Sequence, residues 1–369
     1  MSGEGVQTPL ERMIRRHIAH SGGLSVADYM ELCLSHPEHG YYTTRQPFGA
    51  AGDFITAPEA SQMFGELLGA WAAACWQGMG GPARLHLVEL GPGRGMLMQD
   101  LLRAAKSWPD FFRALRVHMV EISPHLRAAQ KERLEGAGVH VRWHERLPGR
   151  EDLGGEGPVM VMANEFLDAL PVHHYERVAE GWRERLVVVG EDGRLAFAPV
   201  GEAPRAVPAW ARDLPVGSVI ELSPERAAMA RDIARLVAAR GGVALVIDYG
   251  HVRPAAGETL QALHRHERVE VFHRPGMSDI TAHVDFAALG EAFRAAGLAV
   301  ARPLEQGAFL LSLGLEQRLR ALLARADTAQ AARLLRGAER IAGADQMGRL
   351  FKVLCAHSAD MPTPEPFTP

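Results

Sequence analysis

The sequence has few of the features that mark metal-binding, disulfide-bonded or membrane-spanning proteins. Its 369 residues include only three cysteines, which lie far apart in the chain at Cys33, Cys75 and Cys355. Because none of them forms a CxxC pair and their number is odd, we expect neither a zinc site nor a disulfide framework. No apolar run reaches the ~20 residues of a membrane-spanning helix, so we predict no membrane insertion. From the cysteine pattern we also predict no metal.

An excess of positive charge is also absent. The 40 Lys and Arg residues face 44 Asp and Glu residues, for a formal net charge of -4. The arginines alternate with glutamate and alanine, whereas proteins that bind nucleic acid concentrate basic side chains on one face. We therefore predict no nucleic-acid partner. The N-terminus lacks the apolar core of a secretory signal, and the scarcity of cysteine suits a reducing compartment.

Strands and helices alternate from residue 84 onward. The apolar segments 85–90, 115–122, 139–143, 158–163 and 242–248 are predicted strands, and helices are predicted to connect most of them. Such alternation is typical of a parallel sheet with right-handed helical crossovers. The predicted fold class is therefore α/β, with a Rossmann-like doubly wound sheet.

Other segments are predicted to flank or interrupt this core. The expected parts are an N-terminal helical lobe at residues 1–83, the core at 84–171 and 217–315, a β-ribbon insertion at 172–216, and C-terminal helices at 316–360. Within these parts, we expect one strand at 183–190, a long loop region at 250–282, and two strands at 298–304 and 308–313. The proline-rich segment 361–369 has the composition of a disordered tail.

A glycine-rich turn follows the first predicted strand, in the string VELGPGRG at residues 88–95. Glycine lets the backbone turn sharply and lets a ligand approach it, and the following helix offers free N–H groups. Dinucleotide enzymes use the spacing G-x-G-x-x-G, with a pyrophosphate at the turn. Here Gly91, Gly93 and Gly95 have the spacing G-x-G-x-G, and the Glu89 carboxylate would repel a pyrophosphate but attract a cationic sulfonium and ammonium. The turn therefore favours S-adenosylmethionine, with NAD as the alternative.

A second acidic residue, Glu121, ends the second predicted strand. A carboxylate at this place can accept hydrogen bonds from both hydroxyl groups of an adenosine ribose, as in dinucleotide-binding proteins. Together, Glu89 and Glu121 predict a nucleoside cofactor with a cationic end. The alternative is that both turns are structural and both glutamates are solvated.

Polar side chains also follow the fourth predicted strand, in the string ANEFLDALP at residues 163–171. Because this strand ends at the same sheet edge as the glycine turn, Asn164, Glu165 and Asp168 are candidate catalytic residues. Positioning supplies much of the rate of methyl transfer, and carboxylates orient a guanidinium through paired N–H bonds. A carboxylate can also take the proton that a guanidinium loses around transfer. The alternative is that Glu165 or Asp168 caps a following helix.

A third polar cluster lies in the string SDITAHVDF at residues 278–286. Asp279, His283 and Asp285 are candidate substrate-binding residues, because they could contact the acceptor or close the site over it. Equally, Asp285 or Thr281 could begin a helix, a position that both residue types favour.

Six stretches of the sequence together resemble the MidA-like methyltransferase family. They are GDFITAPE with SQMFGE within residues 52–66, ELGPGRG at 89–95, EISP at 121–124, NEFLDALP at 164–171, DYG at 248–250 and DITAHVDF at 279–286. The resemblance covers residues 10–355, almost the whole chain. The mitochondrial members of this family assist assembly of respiratory complex I by methylating an arginine of a core subunit.

The resemblance implies a class I methyltransferase fold and a fuller cofactor site. It implies that the segment from Asp53 to Gln62 forms a cap over the cofactor, so that the N-terminal lobe is a cap lobe. Asp53, Thr56 and Gln62, together with Ile122 and Ser123, are accordingly expected to bind S-adenosylmethionine.

The resemblance also implies a protein partner. The expected acceptor is an arginine of a protein, with a complex I core subunit or its bacterial counterpart as the expected substrate. The corresponding location is the cytoplasm of a bacterium or the mitochondrial matrix of a eukaryote. A non-catalytic assembly chaperone that retains the methyltransferase fold is the alternative function. The sequence leaves the oligomeric state open, and a homodimer is one option.

Overall fold

The computed structural model describes residues 7–44 and 55–368. In chain order its helices are α1 (Pro9–Ser21), α2 (Val26–Ser35), α3 (Tyr41–Thr44), α4 (Ala57–Ala60), α5 (Gln62–Gly78), α6 (Met96–Ala105), α7 (Pro109–Ala114), α8 (Pro124–Arg133), α9 (Pro224–Arg240), α10 (Phe286–Ala295), α11 (Gln306–Ser312), α12 (Leu315–Leu323), α13 (Thr328–Ala342) and α14 (Met347–Leu350). A short 3₁₀ helix spans Ala209–Ala211.

The strands follow the same chain order. They are β1 (Leu24–Ser25), β2 (Leu85–Leu90), β3 (Leu115–Val120), β4 (His140–His144), β5 (Val159–Asn164), β6 (His173–Val178), β7 (Gly181–Glu184), β8 (Leu186–Val189), β9 (Leu195–Ala198), β10 (Val219–Leu222), β11 (Gly242–His251), β12 (Gln261–His264), β13 (Glu267–Val269), β14 (Asp279–Thr281), β15 (Val284–Asp285), β16 (Ala299–Val300), β17 (Leu304–Glu305) and β18 (Phe351–His357).

The chain forms two compact units, and the larger one contains the predicted core. It comprises Ile55–Leu167, Ala228–Val252 and residues from Val284 to the C-terminus. Its central sheet has the strand order β16-β18-β11-β5-β2-β3-β4, with β15 paired to β11 and β17 paired to β18. The strands from β11 to β4 in this order are parallel.

The order of the parallel strands confirms the predicted doubly wound fold. The chain proceeds from β2 to β3 and β4 on one side, and returns to β5 and β11 on the other. The topological switch point therefore lies between β2 and β5, where folds of this type bind ligands. Every side chain of β2 and β5 is buried, as expected for parallel strands covered on both faces.

Close packing of α5 on α6 fixes the helix that follows the glycine turn. A Cβ atom at Gly65 would lie 2.7 Å from Cβ of Asp100, and one at Gly69 would lie 2.8 Å from the Leu101 carbonyl oxygen. Only glycine lets the two helix backbones approach this closely. Leu97 and Leu101 of α6 are buried in the same core.

The prediction of C-terminal helices at 316–360 is wrong at residues 351–357, which form β18. This strand pairs antiparallel with β11, from Val243 opposite His357 to Tyr249 opposite Phe351. It lies between β11 and β16, and all of its side chains except that of Lys352 are buried. The apolar run in this segment is therefore that of an interior strand rather than of a helix.

The predicted strands at 298–304 and 308–313 are also wrong in part. Only the two-residue strands β16 and β17 form in the first segment, and the second lies largely in the helix α11. Phe309 and Leu310 bury their side chains from that helix. A short apolar run is compatible with both a buried strand and a buried helix, so hydrophobic periodicity alone could not decide which of the two residues 308–313 form.

The proline-rich C-terminal segment is packed rather than disordered, as far as residue 368. Met361 and Phe367 belong to the main core, with 8% and 7% of their surface exposed. The ring of Phe367 lies 5.5 Å from that of Phe309, and the Trp71 indole N–H donates to the Glu365 carbonyl at 2.9 Å. The composition of the segment suggested disorder, but its large apolar side chains Met361 and Phe367 are buried in the main core.

The smaller unit combines three separate parts of the sequence. It contains the described residues up to 44 together with Asp168–Ala227 and Arg253–His283. Its strands form three small sheets, ordered β1-β8-β9, β10-β6-β7 and β13-β12-β14. The predicted boundaries at 171 and 217 therefore do not match the units. The N-terminal lobe and the insertion share a sheet, and β10 pairs with β6 instead of joining the core.

Two finer predictions for this unit are corrected as well. The predicted loop at 250–282 contains the strands β12, β13 and β14. The predicted strand at 183–190 is divided at Arg185 into β7 and β8, which belong to different sheets. The Arg185 N–H donates to the His174 carbonyl, and its guanidinium lies 4.9 Å from the Phe197 ring, so tertiary contacts hold the bend.

Two further properties concern the described part of the chain. None of its helices combines the length and the apolar character needed to cross a bilayer. Within residues 7–44 and 55–368, no three His, Cys, Asp or Glu side chains are grouped so that they could hold a metal ion.

Candidate active site

Three neighbouring strands of the larger unit end at one level of the sheet edge. Leu90, the last residue of β2, is paired with the last residue of β3 and with the penultimate residue of β5. Gly91, Glu121 and Asn164 follow at the next level of these strands. The register of the parallel sheet therefore brings the glycine turn, one acidic residue and the start of the NEFLD segment together.

The glycine turn has a backbone that favours glycine. Gly91, Gly93 and Gly95 have φ values of 59°, 51° and 78°, in the left-handed region. At Gly91 there is also no room for a side chain, because a Cβ atom would lie 2.7 Å from Cδ2 of Phe166. Gly95 is the N-cap of α6, so the turn leads directly into a helix N-terminus.

Glu89 is a buried acid one residue before the end of β2. Only 3% of it is exposed, and its Oε2 atom accepts no hydrogen bond from the described residues. Burial, with a smaller contribution from the charge of Glu121, raises the pKa of Glu89 to about 8. A buried carboxylate without a partner is costly, and a cationic ligand group would remove that cost. The residue therefore fits the cationic end of S-adenosylmethionine.

Glu121 is buried too, but its oxygens are engaged. Oε1 accepts the Ser123 N–H at 2.8 Å, and Oε2 accepts the Gln130 amide at 3.3 Å. Burial raises the pKa of Glu121, and these hydrogen bonds partly oppose the rise. Next to it, Ile122 is 54% exposed, whereas Ser123 is buried and its hydroxyl caps α8 by accepting the Leu126 N–H. Glu121 therefore fits a ribose, and the exposed Ile122 next to it provides an apolar surface.

Sequence reasoning missed Gln130, although a signal was present. Leu126, Gln130 and Leu134 recur at intervals of four residues and are all buried against the core. A glutamine at a core-facing position of an otherwise charged helix requires hydrogen-bond partners, because burying an unpaired amide is unfavourable.

Asn164 and Glu165 form a hydrogen-bonded pair at the end of β5. The Asn164 amide donates to Oε1 of Glu165 at 3.1 Å, and the same oxygen accepts the Ala57 N–H at 2.9 Å. Oδ1 of Asn164 is buried and accepts no hydrogen bond from the described residues. Glu165 has a φ of 50°, which is rare outside glycine, and strained backbone of this kind clusters at active sites.

Asp248 was not among the predicted site residues, yet it shapes this turn. It follows the last β11 residue that pairs with β5 and is fully buried. Its Oδ2 atom accepts the N–H groups of Phe166 and Leu167 at 3.3 and 3.0 Å. The only sequence signal was its place in the DYG string after an apolar strand.

The structure describes two of the three residues that the resemblance assigned to the cap. Thr56 is the N-cap residue of α4, but its side chain makes no capping hydrogen bond. Gln62 is exposed, and its amide donates to Oε1 of Glu66 at 3.1 Å. Asp53 lies outside the described residues.

In the smaller unit, Asp168 and Asp279 both lie near Tyr42. The Tyr42 hydroxyl donates to Oδ1 of Asp279 at 3.0 Å, and burial with the charges of Asp279 and Asp168 raises the pKa of Tyr42. Asp168 lies in a turn, with Oδ1 accepting the N–H of Ala169. No helix follows Asp168, so the predicted alternative that it caps a helix is wrong.

Arg226 connects the main chain around Asp168 and His283. Its guanidinium donates to the carbonyl oxygens of His283 at 2.6 Å and of Asp168 and Ala282 at 3.0 Å each. The Ala282 N–H also donates to the Asp168 carbonyl. Nothing in the sequence separated Arg226 from the other arginines of α9, because its role depends on contacts between distant segments.

Asp285 has the role that the predicted alternative gave it. It is the N-cap of α10, and its Oδ1 atom accepts the N–H groups of Ala287 and Ala288 at 2.9 and 3.1 Å. This contact is that of a helix start, and it does not support the expected role of Asp285 in substrate binding. Thr281, the other expected helix start, lies in β14 instead.

The fold and the sheet edge together define a nucleoside-binding α/β protein with an acidic site. A family model of S-adenosyl-L-methionine-dependent methyltransferases matches residues 67–304. The chain belongs to this family of methyltransferases. This membership decides the cofactor in favour of S-adenosylmethionine over NAD.

Curated relatives match nearly the whole chain. The mitochondrial protein arginine methyltransferase NDUFAF7 of Xenopus tropicalis is 34% identical, over 91% of this chain and 82% of that protein. The Drosophila melanogaster homologue of the same name is 36% identical, over 96% and 85%. The human protein is 33% identical, over 94% and 83%. These findings confirm the resemblance drawn from the six sequence stretches.

Two crystal structures of proteins from Burkholderia thailandensis have a similar fold. One, bound to S-adenosyl-homocysteine, is 32% identical with a TM-score of 0.80, and the match covers 94% of this chain and 91% of that one. The other, a native structure, is 31% identical with a TM-score of 0.81, over 97% and 94%. They confirm the predicted methyltransferase fold over almost the full length.

Proposed function

We propose that this protein transfers the methyl group of S-adenosylmethionine to an arginine side chain of another protein. The observation that carries the proposal is the Asn164–Glu165 pair, which the sheet register brings beside Gly91 at the edge of the core. A pair of hydrogen-bonding side chains next to a cofactor turn suits a planar guanidinium. The relatives named as protein arginine methyltransferases support the same acceptor.

We assign the cofactor site to the glycine turn and its two acids. The buried Glu89 carboxylate pairs with the cationic amino-acid end, because its Oε2 atom accepts no hydrogen bond from the part of the chain that the structure describes. Glu121 accepts the ribose hydroxyls, and exposed Ile122 offers an apolar surface to the adenine ring. Ser123 contributes through its N–H, which holds Glu121. Asp53, Thr56 and Gln62 remain proposed cofactor contacts on the strength of the resemblance.

When bound, S-adenosylmethionine supplies an electrophilic methyl group. Glu165 orients the acceptor guanidinium, and Oδ1 of Asn164 accepts one of its N–H groups, so that one nitrogen lone pair faces the methyl carbon. Glu165 then takes the proton that the guanidino nitrogen loses as its bond to carbon forms, and passes it to solvent. In the smaller unit, we assign Asp168, Asp279 and His283 to contacts with the acceptor.

The finer assignments follow from the resemblance. We propose a respiratory-chain subunit as the acceptor, in the bacterial cytoplasm or, for a eukaryotic protein, in the mitochondrial matrix. The relatives carry the word mitochondrial in their names, which supports the second location for them.

The test is transfer of a labelled methyl group to proteins of a cell extract that contains respiratory complexes. We expect a labelled band whose peptides carry the label on arginine, and Glu165→Gln should reduce the label at least about 100-fold. Binding of S-adenosylhomocysteine by the variant, measured by calorimetry, should change by less than about threefold.

Two outcomes would contradict this proposal. Label on lysine alone would exclude arginine as the acceptor. If neither the wild-type protein nor Glu165→Gln transfers a methyl group, and the variant still supports assembly of the respiratory complex in cells, the chain acts as a chaperone that retains the fold.

A further inference from the structure

Gln130 is a buried polar side chain that contacts both the glycine turn and Glu121 of the proposed cofactor site. It lies in the second turn of α8, and none of its surface is exposed. Its Nε2 atom donates to the Gly93 carbonyl at 2.7 Å and to Oε2 of Glu121 at 3.3 Å. Its Oε1 atom accepts the Trp143 indole N–H at 2.9 Å. The amide therefore connects the glycine turn to the acid assigned to the ribose.

The partners of Gln130 allow only one orientation of its amide. The indole nitrogen of Trp143 can only donate, so the atom that faces it must be the oxygen. The carbonyl of Gly93 can only accept, and so can the carboxylate of Glu121 when it is ionised. The atom that faces these two groups must therefore be the nitrogen. A flipped amide would lose all three hydrogen bonds, and Gln130 is therefore held rigidly.

This contact also orients the backbone of the turn. In a trans peptide the C=O and the following N–H point in opposite directions. Because the Gly93 carbonyl points to Gln130, the N–H of Arg94 points away from α8. The same helix holds the next carbonyl, since Nε of Arg133 donates to the Arg94 oxygen at 2.8 Å. A Cβ atom at Gly95 would lie 3.4 Å from Cγ of Gln130, so the turn packs directly on this side chain.

We propose that Gln130 is a positioning residue for cofactor binding, which fixes the Glu121 carboxylate and the Gly93 carbonyl relative to each other through one amide oriented by Trp143. The proposal rests on the assigned roles of Glu121 and the glycine turn. Gln130 acts through these groups and needs no contact with the reacting atoms. It thus affects affinity for the nucleoside and not the methyl-transfer step.

The closing experiment compares two ligands in wild-type protein and in Gln130→Met, which keeps the length of the side chain and removes its hydrogen bonds. The ligands are S-adenosylhomocysteine and its 2′-deoxy analogue, and affinities are measured by calorimetry. We expect Gln130→Met to weaken S-adenosylhomocysteine about tenfold, because hydrogen bonds to charged groups are worth that much. The affinity for the 2′-deoxy analogue should fall clearly less, because this ligand already lacks the hydroxyl group that the positioned Glu121 carboxylate would bind.

Two further readouts separate positioning from a general structural defect. The KM for S-adenosylmethionine should rise in Gln130→Met, while kcat at saturating cofactor stays within about twofold of wild type. Glu132→Gln, an exposed substitution on the same helix, is the matched control and should change neither quantity.

A second variant keeps the test decisive if Gln130→Met does not fold. Trp143→Phe retains a ring and removes the N–H that orients the amide, so it should weaken S-adenosylhomocysteine in the same direction but less. The positioning role is overturned if each of the two variants that folds binds both ligands within twofold of wild type, while Glu121→Gln weakens binding of S-adenosylhomocysteine. A different result would show that the assigned ribose site itself is wrong. In that case Glu121→Gln binds S-adenosylhomocysteine as tightly as wild type does, and wild type binds the 2′-deoxy analogue as tightly as S-adenosylhomocysteine.

Discussion

The backbone N–H of Ala57 donates to Oε1 of Glu165 at 2.9 Å, although the two residues lie 108 positions apart in the chain. The same oxygen accepts the Asn164 amide. These contacts hold Glu165 in a left-handed backbone conformation that costs a non-glycine residue roughly 1–3 kcal/mol. The start of α4 thereby fixes the carboxylate to which we assign the acceptor, and the strain at this residue is part of that arrangement.

The strain at Glu165 predicts an inverted order of two substitutions. Glu165→Gly should leave the protein about 1 kcal/mol more stable than Glu165→Ala, because glycine adopts this backbone without a Cβ penalty. In ordinary helices and strands the order is the reverse. Denaturant unfolding of the two variants measures the difference, and both should lack methyl transfer. Equal stability of the two, or greater stability of the alanine variant, would show that the backbone at this position is relaxed.

Glu89 predicts cofactor binding that strengthens as the pH rises. Its pKa of about 8 in the free protein means that it is largely protonated at neutral pH, whereas a cationic ligand favours the ionised form. Affinity for S-adenosylhomocysteine should therefore increase as the pH approaches 8 and then level off, with release of a proton on binding below that value. Calorimetry in buffers of different ionisation enthalpy counts the proton. Glu89→Gln should bind more weakly and release none.

The same residue predicts a pH-dependent stability of the protein without cofactor. The folded protein holds a proton on Glu89 up to a pKa of about 8, whereas the unfolded chain loses it at the ordinary value for glutamate. Stability therefore falls between these two values as the pH rises, by at most about 1.4 kcal/mol per pH unit. Glu89→Gln should remove this contribution. The check is the difference in unfolding free energy between the two proteins, which should grow with pH in favour of the variant.

Gly91 predicts a defect with two separable causes. Gly91→Ala should destabilise the protein by about 1–3 kcal/mol and weaken S-adenosylhomocysteine, because the added methyl group meets Phe166 and the backbone has a positive φ. The double variant Gly91→Ala/Phe166→Ala should recover part of the binding, since it removes the clash but not the backbone strain. Failure of the double variant to recover any binding would attribute the whole defect to the backbone.

Phe367 predicts that the C-terminal segment contributes to stability. Phe367→Ala should lower the unfolding free energy by about 2–4 kcal/mol, because the ring is buried against Phe309 in the main core. Thr368→Ala, at the exposed neighbouring position, is the matched control and should change it by less than about 0.5 kcal/mol. A disordered segment would give no difference between the two variants.

Much of the core was predictable because its signals are local. The strands β2, β4 and β5 were predicted with their observed bounds or within a residue. The acidic residue Glu89 next to the glycine turn also favoured S-adenosylmethionine over NAD, because its place two residues before Gly91 is visible in a short segment. The boundaries failed where short apolar runs fit both a helix and a strand, as in α11 and β18.

The sequence by itself determined the doubly wound core, the glycine turn and the cofactor, since hydrophobic period, glycine spacing and local charge are properties of short segments. The tertiary structure alone decided that Ala57 holds Glu165, that Gln130 joins Gly93 to Glu121, and that residues 7–44 share a unit with β6 to β10. Each of these depends on hydrogen bonds or strand pairs between residues far apart in the chain. Many segments can offer such partners, and only the folded arrangement selects among them.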